Sequence, residues 1–310
     1  MPPHLAAAVA VLTVIVAREQ RDASSVAFGE ASIDLIETAL TDFRLRGPRR
    51  QQVVNDLLKT MQELAMLYDA LGRHQAALTT LERMQSALKE HGDPDHALQP
   101  YGWLQQWYLT SGSVCRHVAR SARNPAEWFA SADQHLARSK DLAMSSRTLP
   151  RPLGIAAANQ QINAWLDLAH AADKESAVRE KALASATHEL EHLDREWLTL
   201  TDLDPIHFRS GRLGTRIAGW RTALELGDPS AVEASRAAAG EALGPWVRPR
   251  DHEKIQRLER TSVDTGLLTP SSTPLMTDRL WVPDRFPRAR VRAHSTSTDT
   301  LLDTIGPRRT

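Results

Sequence analysis

Residues 58–91 read LKTMQELAMLYDALGRHQAALTTLERMQSALKEH, and this stretch decides the fold. Apolar side chains recur at spacings of three and four on both sides of Gly72, which predicts two amphipathic helices joined by a tight turn. Ala65 and Ala77 are small enough to let the two helices approach closely. Gly72 supplies the backbone freedom the turn needs. Tyr68 and Leu81 fill the seam between them.

The same texture continues along the chain. Alternating apolar and polar runs rich in Val, Ile and aromatic residues are nearly absent, so strands are not expected. Helices are predicted at about 4–22, 26–43, 48–70, 74–91, 97–120, 125–146, 153–172, 175–199, 205–226, 229–243 and 249–264. Their punctuation is Gly47-Pro48, Gly72, Gly92-Asp93-Pro94, Asn124-Pro125, Pro150 to Pro152, Asp204-Pro205, Gly227-Asp228-Pro229 and Gly244-Pro245. Proline just inside a helix start and glycine just past an end is the expected asymmetry. Short links between successive helices imply antiparallel neighbours, hence an all-α array of helical hairpins, an α-solenoid.

Two ends of the chain need separate readings. Leu5 to Ala17 is apolar except for Thr13, but 13 residues fall short of the ~20 that span a bilayer. Met1-Pro2-Pro3-His4 lacks the basic residues of a signal peptide, so the run is expected to form a buried first helix. From residue 267 to 310 the chain is rich in Arg, Ser, Thr and Pro and reads as a disordered tail following a helical domain of residues 1–266. Seven Arg against four Asp give the tail +3. Lys+Arg and Asp+Glu total 38 each over the whole chain. There is no global field to recruit nucleic acid or a membrane. The single cysteine, Cys115, allows no disulfide and no cysteine-based zinc site, and a reducing cytoplasm is the expected compartment.

The spacing of residues 58–91 is that of a tetratricopeptide (TPR) unit of 34 residues. A weaker echo places Ala223, Gly227, Val232 and Ala239 in similar register, and Phe129, Ala132 and Leu136 suit a second-helix role. The block Gln62 to Pro94, with the later run His207 to Ala239, resembles the helical sensor region of actinobacterial helix-turn-helix regulators of the Xre type. That resemblance implies a region that senses a ligand or partner. The chain starts directly in the helical region, so it is not expected to carry the helix-turn-helix itself. A docking or sensing role in transcriptional control is expected, with a protein or peptide as partner. The alternative is a DNA-binding regulator whose reading head is missing from this chain. In the repeat pattern Lys59, Gln62, Met66 and Asp69 face the groove and are the candidate partner contacts.

Other constellations carry chemistry on paper. His188-Glu189-Leu190-Glu191-His192 matches H-E-x-x-H, in which two His one turn apart bind zinc and the Glu activates water. At 100° per residue, Val178, Ala182, Leu183, Ala186, Leu190, Leu193, Trp197 and Leu200 form the apolar face, with His188 and His192 almost opposite. No third ligand stands at a usual spacing. A zinc hydrolase using His188 and His192 is therefore the alternative reading, and no enzymatic activity, cofactor or metal is the expectation. Cys115 and His117 lie two apart on a helix and point away from each other, so the thiol is expected to be structural. Tyr101, Trp103, Trp107 and Tyr108 are expected to pack between hairpins, with Gln105 and Gln106 open to a partner. Asn159, Gln160, Gln161 and Asn163 suit either backbone recognition in a groove or a plain polar face. Gly211-Arg-Leu-Gly214 lacks the lysine and preceding strand of a phosphate loop. In the tail, Trp281 and Phe286 among arginines are compatible with stacking on bases, although a partner-docking or solubilising role is preferred.

Overall fold

The breaks at Gly and Pro coincide with helix ends. The computed structural model describes residues 3–20, 22–41, 46–91, 102–146, 149–200, 205–243, 249–269 and 275. Within them lie α1 (Pro3–Gln20), α2 (Val26–Leu40), α3 (Gly47–Ala70), α4 (His74–His91), α5 (Trp103–Ala119), α6 (Pro125–Ser145), α7 (Arg151–Ala171), α8 (Ala177–Thr199), α9 (Pro205–Leu226), α10 (Pro229–Ala242) and α11 (Pro249–Asp264). No strand occurs among the described residues. The helix expected from residue 97 starts instead at Trp103, after Gly102 at φ +57°, and residues 97–101 lie outside the described set.

Proline stands in the first turn of α3, α6, α7 and α10, where a missing N–H leaves no bond unmade. Asp228 caps α10 by accepting from the Ser230 and Ala231 amides at 2.9 and 3.1 Å. Gly72 and Gly227 sit at φ +73° and +72°, and in each case the next amide reaches back five residues. Arg73 N donates to Tyr68 O at 2.8 Å and Asp228 N to Ala223 O at 3.4 Å. The shared turn gives the 216–243 echo the same local geometry as the 58–91 unit.

Successive helices fold back on one another. The odd-numbered helices α1, α3, α5, α7 and α9 also touch in sequence, with α11 against α9, while α2, α4, α6 and α8 each pack on the odd-numbered helices to either side. The core follows this order as a series of local clusters. One joins α1 to α5 around Met61, Leu64, Leu67 and Met84. Cys115, Ala132, Leu136 and Ala164 link α5, α6 and α7. Ile162, Leu166 and Trp197 belong to the next, and Trp220, Val232 and Ile255 to the last. Ala65, Ala77, Tyr68 and Leu81 are all buried, as the hairpin reading requires. Leu268 is buried in the last cluster, with Leu267 and Leu275 packed against it, so packed chain continues past residue 266. The rest of the expected tail, with Trp281 and Phe286, lies outside the described residues.

The first helix departs from its expected burial. Val14 and Ala17 are buried, but Val9, Leu12 and Val16 are exposed, Leu12 to 63%. No helix among the described residues is long and apolar enough to cross a membrane.

Close helix approach uses glycine where no larger side chain fits. A Cβ on Gly112 of α5 would stand 2.5 Å from Leu136 Cγ and 3.1 Å from the Ala132 carbonyl of α6. Gly211 of α9, part of the Gly-Arg-Leu-Gly run, packs in the same way on the Trp197 ring. Gly112→Ala is expected to destabilise the chain by about 1–3 kcal/mol through overpacking. Adding Leu136→Ala should recover part of the loss, so that in urea unfolding the double variant is less destabilised than the two single effects summed. Strict additivity would contradict the proposed contact.

Candidate functional site: a polar face on the odd-numbered helices

Where the odd-numbered helices meet, polar side chains replace apolar ones. Arg18 of α1 pairs with Glu63 of α3, which also receives Lys59 at 2.6 Å. Between α3 and α5, Gln62 Nε2 donates to Gln106 Oε1 at 3.0 Å and to Thr110 Oγ1 at 3.3 Å. Between α7 and α9, Asn159 Nδ2 donates to Thr215 Oγ1 at 3.1 Å.

The densest part centres on Asp167 of α7. Arg120 of α5 donates to its Oδ2 through Nε at 2.8 Å and lies at 2.7 Å through Nη2. Arg116 Nε lies 3.5 Å from the same oxygen, and Arg221 of α9 pairs with Oδ1. Arg120 caps the C-terminal end of α5 and, four residues after Arg116, lies on the same side. Arg116 Nη1 also donates to Gln160 Oε1 at 2.9 Å, and Arg221 Nη1 to Asn163 Oδ1 at 3.1 Å.

A second relay meets the first. His117 Nε2 lies 2.9 Å from Arg116 Nη2, and its Nδ1 lies 2.7 Å from Asp69 Oδ2. An arginine can only donate, so Nε2 accepts and the proton of a neutral ring sits on Nδ1, donating to Asp69. Asp69 Oδ1 lies 3.1 Å from His74 Nδ1. Contacts therefore run from His74 on α4 through Asp69, His117, Arg116 and Asp167 to Arg221 on α9.

Burial and charge set the protonation states. Burial alone raises the Asp167 pKa, but Arg221, Arg116 and Arg120 outweigh it and hold the carboxyl below its usual range. Burial pushes Arg116 down to about 10, with repulsion from Arg120 and Arg221 partly offset by Asp167 and Asp69. Burial likewise lowers His117, against the opposing hydrogen bond from Asp69, with Arg116 adding to the fall.

The four contacts expected from the repeat pattern lie on this side of α3, in two different situations. Lys59, 36% exposed in its side chain, and Met66 keep open surface. Gln62 is buried against α5, and Asp69 holds His74 and His117. The arginines on α5 and α9 were missed. Their partners stand more than forty residues away in sequence, and no local pattern marks them.

Other expectations fall elsewhere. Trp103 and Trp107 are buried, their indole N–H groups donating to Asn55 Oδ1 at 3.0 Å and Leu81 O at 2.8 Å. Tyr101 lies outside the described residues. Gln105 turns into α6 and donates to Ser139 at 2.8 Å rather than facing a partner. Asn159 to Asn163 lie in the middle of α7 and join it to α5, α6 and α9. Cys115 is buried, its thiol pushed up to about 11 by burial. His188 is exposed, whereas Glu189 is buried and holds Lys140 at 3.0 Å. His192 and Glu189 line a cavity of ≈ 170 Å³ with Lys140, Asp141 and Met144. Among the described residues no group of three or more His, Cys, Asp and Glu is placed to hold a metal ion.

Two measurements check the network. Asp167→Asn leaves three guanidiniums facing a neutral amide, and chemical denaturation should show a loss of about 3–5 kcal/mol. His117, with its folded pKa depressed, binds a proton more readily when unfolded. Stability should therefore fall as pH drops from the unfolded value near 6.5 toward the depressed folded value, and level off below it. Half-buried His135 has the same sign. His117→Gln should flatten part of this slope, and His117→Gln with His135→Gln more of it. An unaltered pH profile in the double variant would rule the assignment out.

No protein-family model, curated protein or solved structure matches the chain.

Proposed function

We propose that the chain is a non-enzymatic binding scaffold: a TPR-like array of antiparallel hairpins whose odd-numbered helices hold a protein or peptide segment. One observation carries the reading. The face shared by α3, α5, α7 and α9 is built from polar and charged side chains already fixed by each other, the buried Gln62 and Asp167 holding the half-exposed Gln106 and Arg221. Side chains held in place before binding lower the ordering entropy that a partner must overcome. Helical arrays bind extended segments along such repeated surfaces.

The resemblance to the sensor region of Xre-type regulators supports a regulatory role in the cytoplasm. It favours sensing or docking over DNA reading. Turns of one type, with glycine at positive φ and the next amide reaching back five residues, end α3, α9 and α11 at Gly72, Gly227 and Gly266.

The test should use the residues of this face that keep open surface and do not hold one helix to the next through α5. Gln62 and Asp69 anchor α5 and α4, so changing them mixes binding with packing. Lys59→Ala with Met66→Ala is the cleaner variant. In affinity capture from the native cell, the double variant is expected to recover at least several-fold less of the partner held by the unaltered chain, with unchanged helical circular dichroism. Equal recovery of every co-purifying protein would remove α3 from the binding surface.

A further inference from the structure

We propose that Arg116, Arg120 and Arg221 form an anion-binding site, which takes a carboxylate or phosphate group presented by the segment that the scaffold holds. The identity of the carrier rests on the scaffold reading. The anion site itself rests on the geometry around Asp167.

Three guanidiniums converge on one carboxylate. Asp167 has two oxygens, and both are engaged: Oδ2 by Arg120 and Arg116, Oδ1 by Arg221. The neighbouring acceptors, Gln160 Oε1, Asn163 Oδ1 and His117 Nε2, are neutral. The next carboxylate, Asp69, lies beyond His117 and is shared between His117 and His74. Glu225 on α9 is held by Arg179 at 3.0 Å and His170 at 3.1 Å. The three guanidiniums therefore contact a single carboxylate, and Asp69 offsets Arg116 only from beyond His117.

Burial makes that excess consequential. Arg116 is 9% exposed, and its Nε has no hydrogen-bond partner despite being buried. A charge held away from water and against two like charges is stabilised by any anion that arrives. The depressed pKa of Arg116 reflects this repulsion together with burial. The cluster is also reachable. The Arg120 side chain is 49% exposed and that of Arg221 is 24% exposed. Arg116 and Asp167 thus form the floor, and Arg120 and Arg221 the open edge. Planar guanidiniums match the paired oxygens of a carboxylate or phosphate.

A single acidic group suits the site better than a polyanion. Residues 1–266 carry a net −3, against which a nucleic acid strand would have to bind. A protein segment can place one acidic side chain at the cluster and use the rest of the odd-helix face for neutral contacts.

The experiment uses the full chain in buffers of matched ionic strength containing chloride, acetate or inorganic phosphate. Thermal unfolding and isothermal titration should show a saturable stabilisation by phosphate or acetate beyond that of chloride. A preference for phosphate identifies a phosphoryl group as the natural source, and parity with acetate a carboxylate. Arg120→Gln, at a half-exposed position, should weaken the apparent affinity about tenfold. Arg120→Gln with Arg221→Gln leaves Arg116 paired to Asp167, so it should still fold while losing the response. Arg195→Gln, on α8, should match the unaltered chain. Equal responses in all four proteins, or none beyond chloride, would overturn the site.

Capture separates this site from the scaffold reading. A partner held equally by the unaltered chain and the Arg120/Arg221 double variant removes the anion role and leaves the scaffold. Phosphate binding with no partner recovered leaves the anion site and removes the scaffold. Binding of a single-stranded oligonucleotide that is lost in the double variant overturns the protein segment as carrier.

Discussion

The odd-numbered helices depend on a carboxylate they bury between them. Asp167 stands on α7 and is held from α5 by Arg116 and Arg120 and from α9 by Arg221. A buried charge left without partners costs several kcal/mol, so α7 can sit in this position only while both neighbours keep their arginines in reach. Glu63 plays a similar part nearer the chain start, joining α1 through Arg18 while Lys59 approaches along α3. Apolar packing between hairpins is tolerant of small slides. Ion pairs with fixed hydrogen-bond directions are not, and they set the register of one helix on the next.

This division explains what could be read from the chain. Helix positions were legible because Gly and Pro act on the backbone locally, and Gly72 and Gly227 do so at positive φ in the structure. The seam of Ala65, Ala77, Tyr68 and Leu81 was legible because four residues in one hairpin meet. The polar face was not. Gln62 fits a groove-facing position of the repeat pattern, yet its amide reaches Gln106 and Thr110 across forty-four and forty-eight residues of sequence. Gln160 and Asn163 looked like a surface face of amides, and their acceptor oxygens instead receive arginines from α5 and α9. Periodicity says which side of a helix is polar. It does not say what stands opposite.

Glu189 shows the same limit from the other direction. Inside His188-Glu189-Leu190-Glu191-His192 it is the residue that zinc chemistry would need aimed at a metal-bound water. In the fold it is buried, with Lys140 of α6 at its carboxylate. A helical wheel assigns it to the edge of the apolar face. The neighbouring helix turns that edge into an interior position, because Lys140 brings a charge to neutralise it.

Charge balance over the whole chain conceals the local arrangement. Equal totals of 38 basic and 38 acidic residues suggest no electrostatic preference. Yet three arginines meet one aspartate at a half-buried point, and a neutral histidine separates them from the next carboxylate. At distances of a few ångströms in a poorly hydrated setting, that imbalance matters more than the sum over the molecule. An apolar groove would hold many segments of suitable size. A face whose side chains are already hydrogen-bonded, and which lacks only negative charge, penalises any segment that covers it without supplying an anion. Discrimination of that kind does not require a large interface, since it arises from the cost of covering Arg120 and Arg221 without replacing their water.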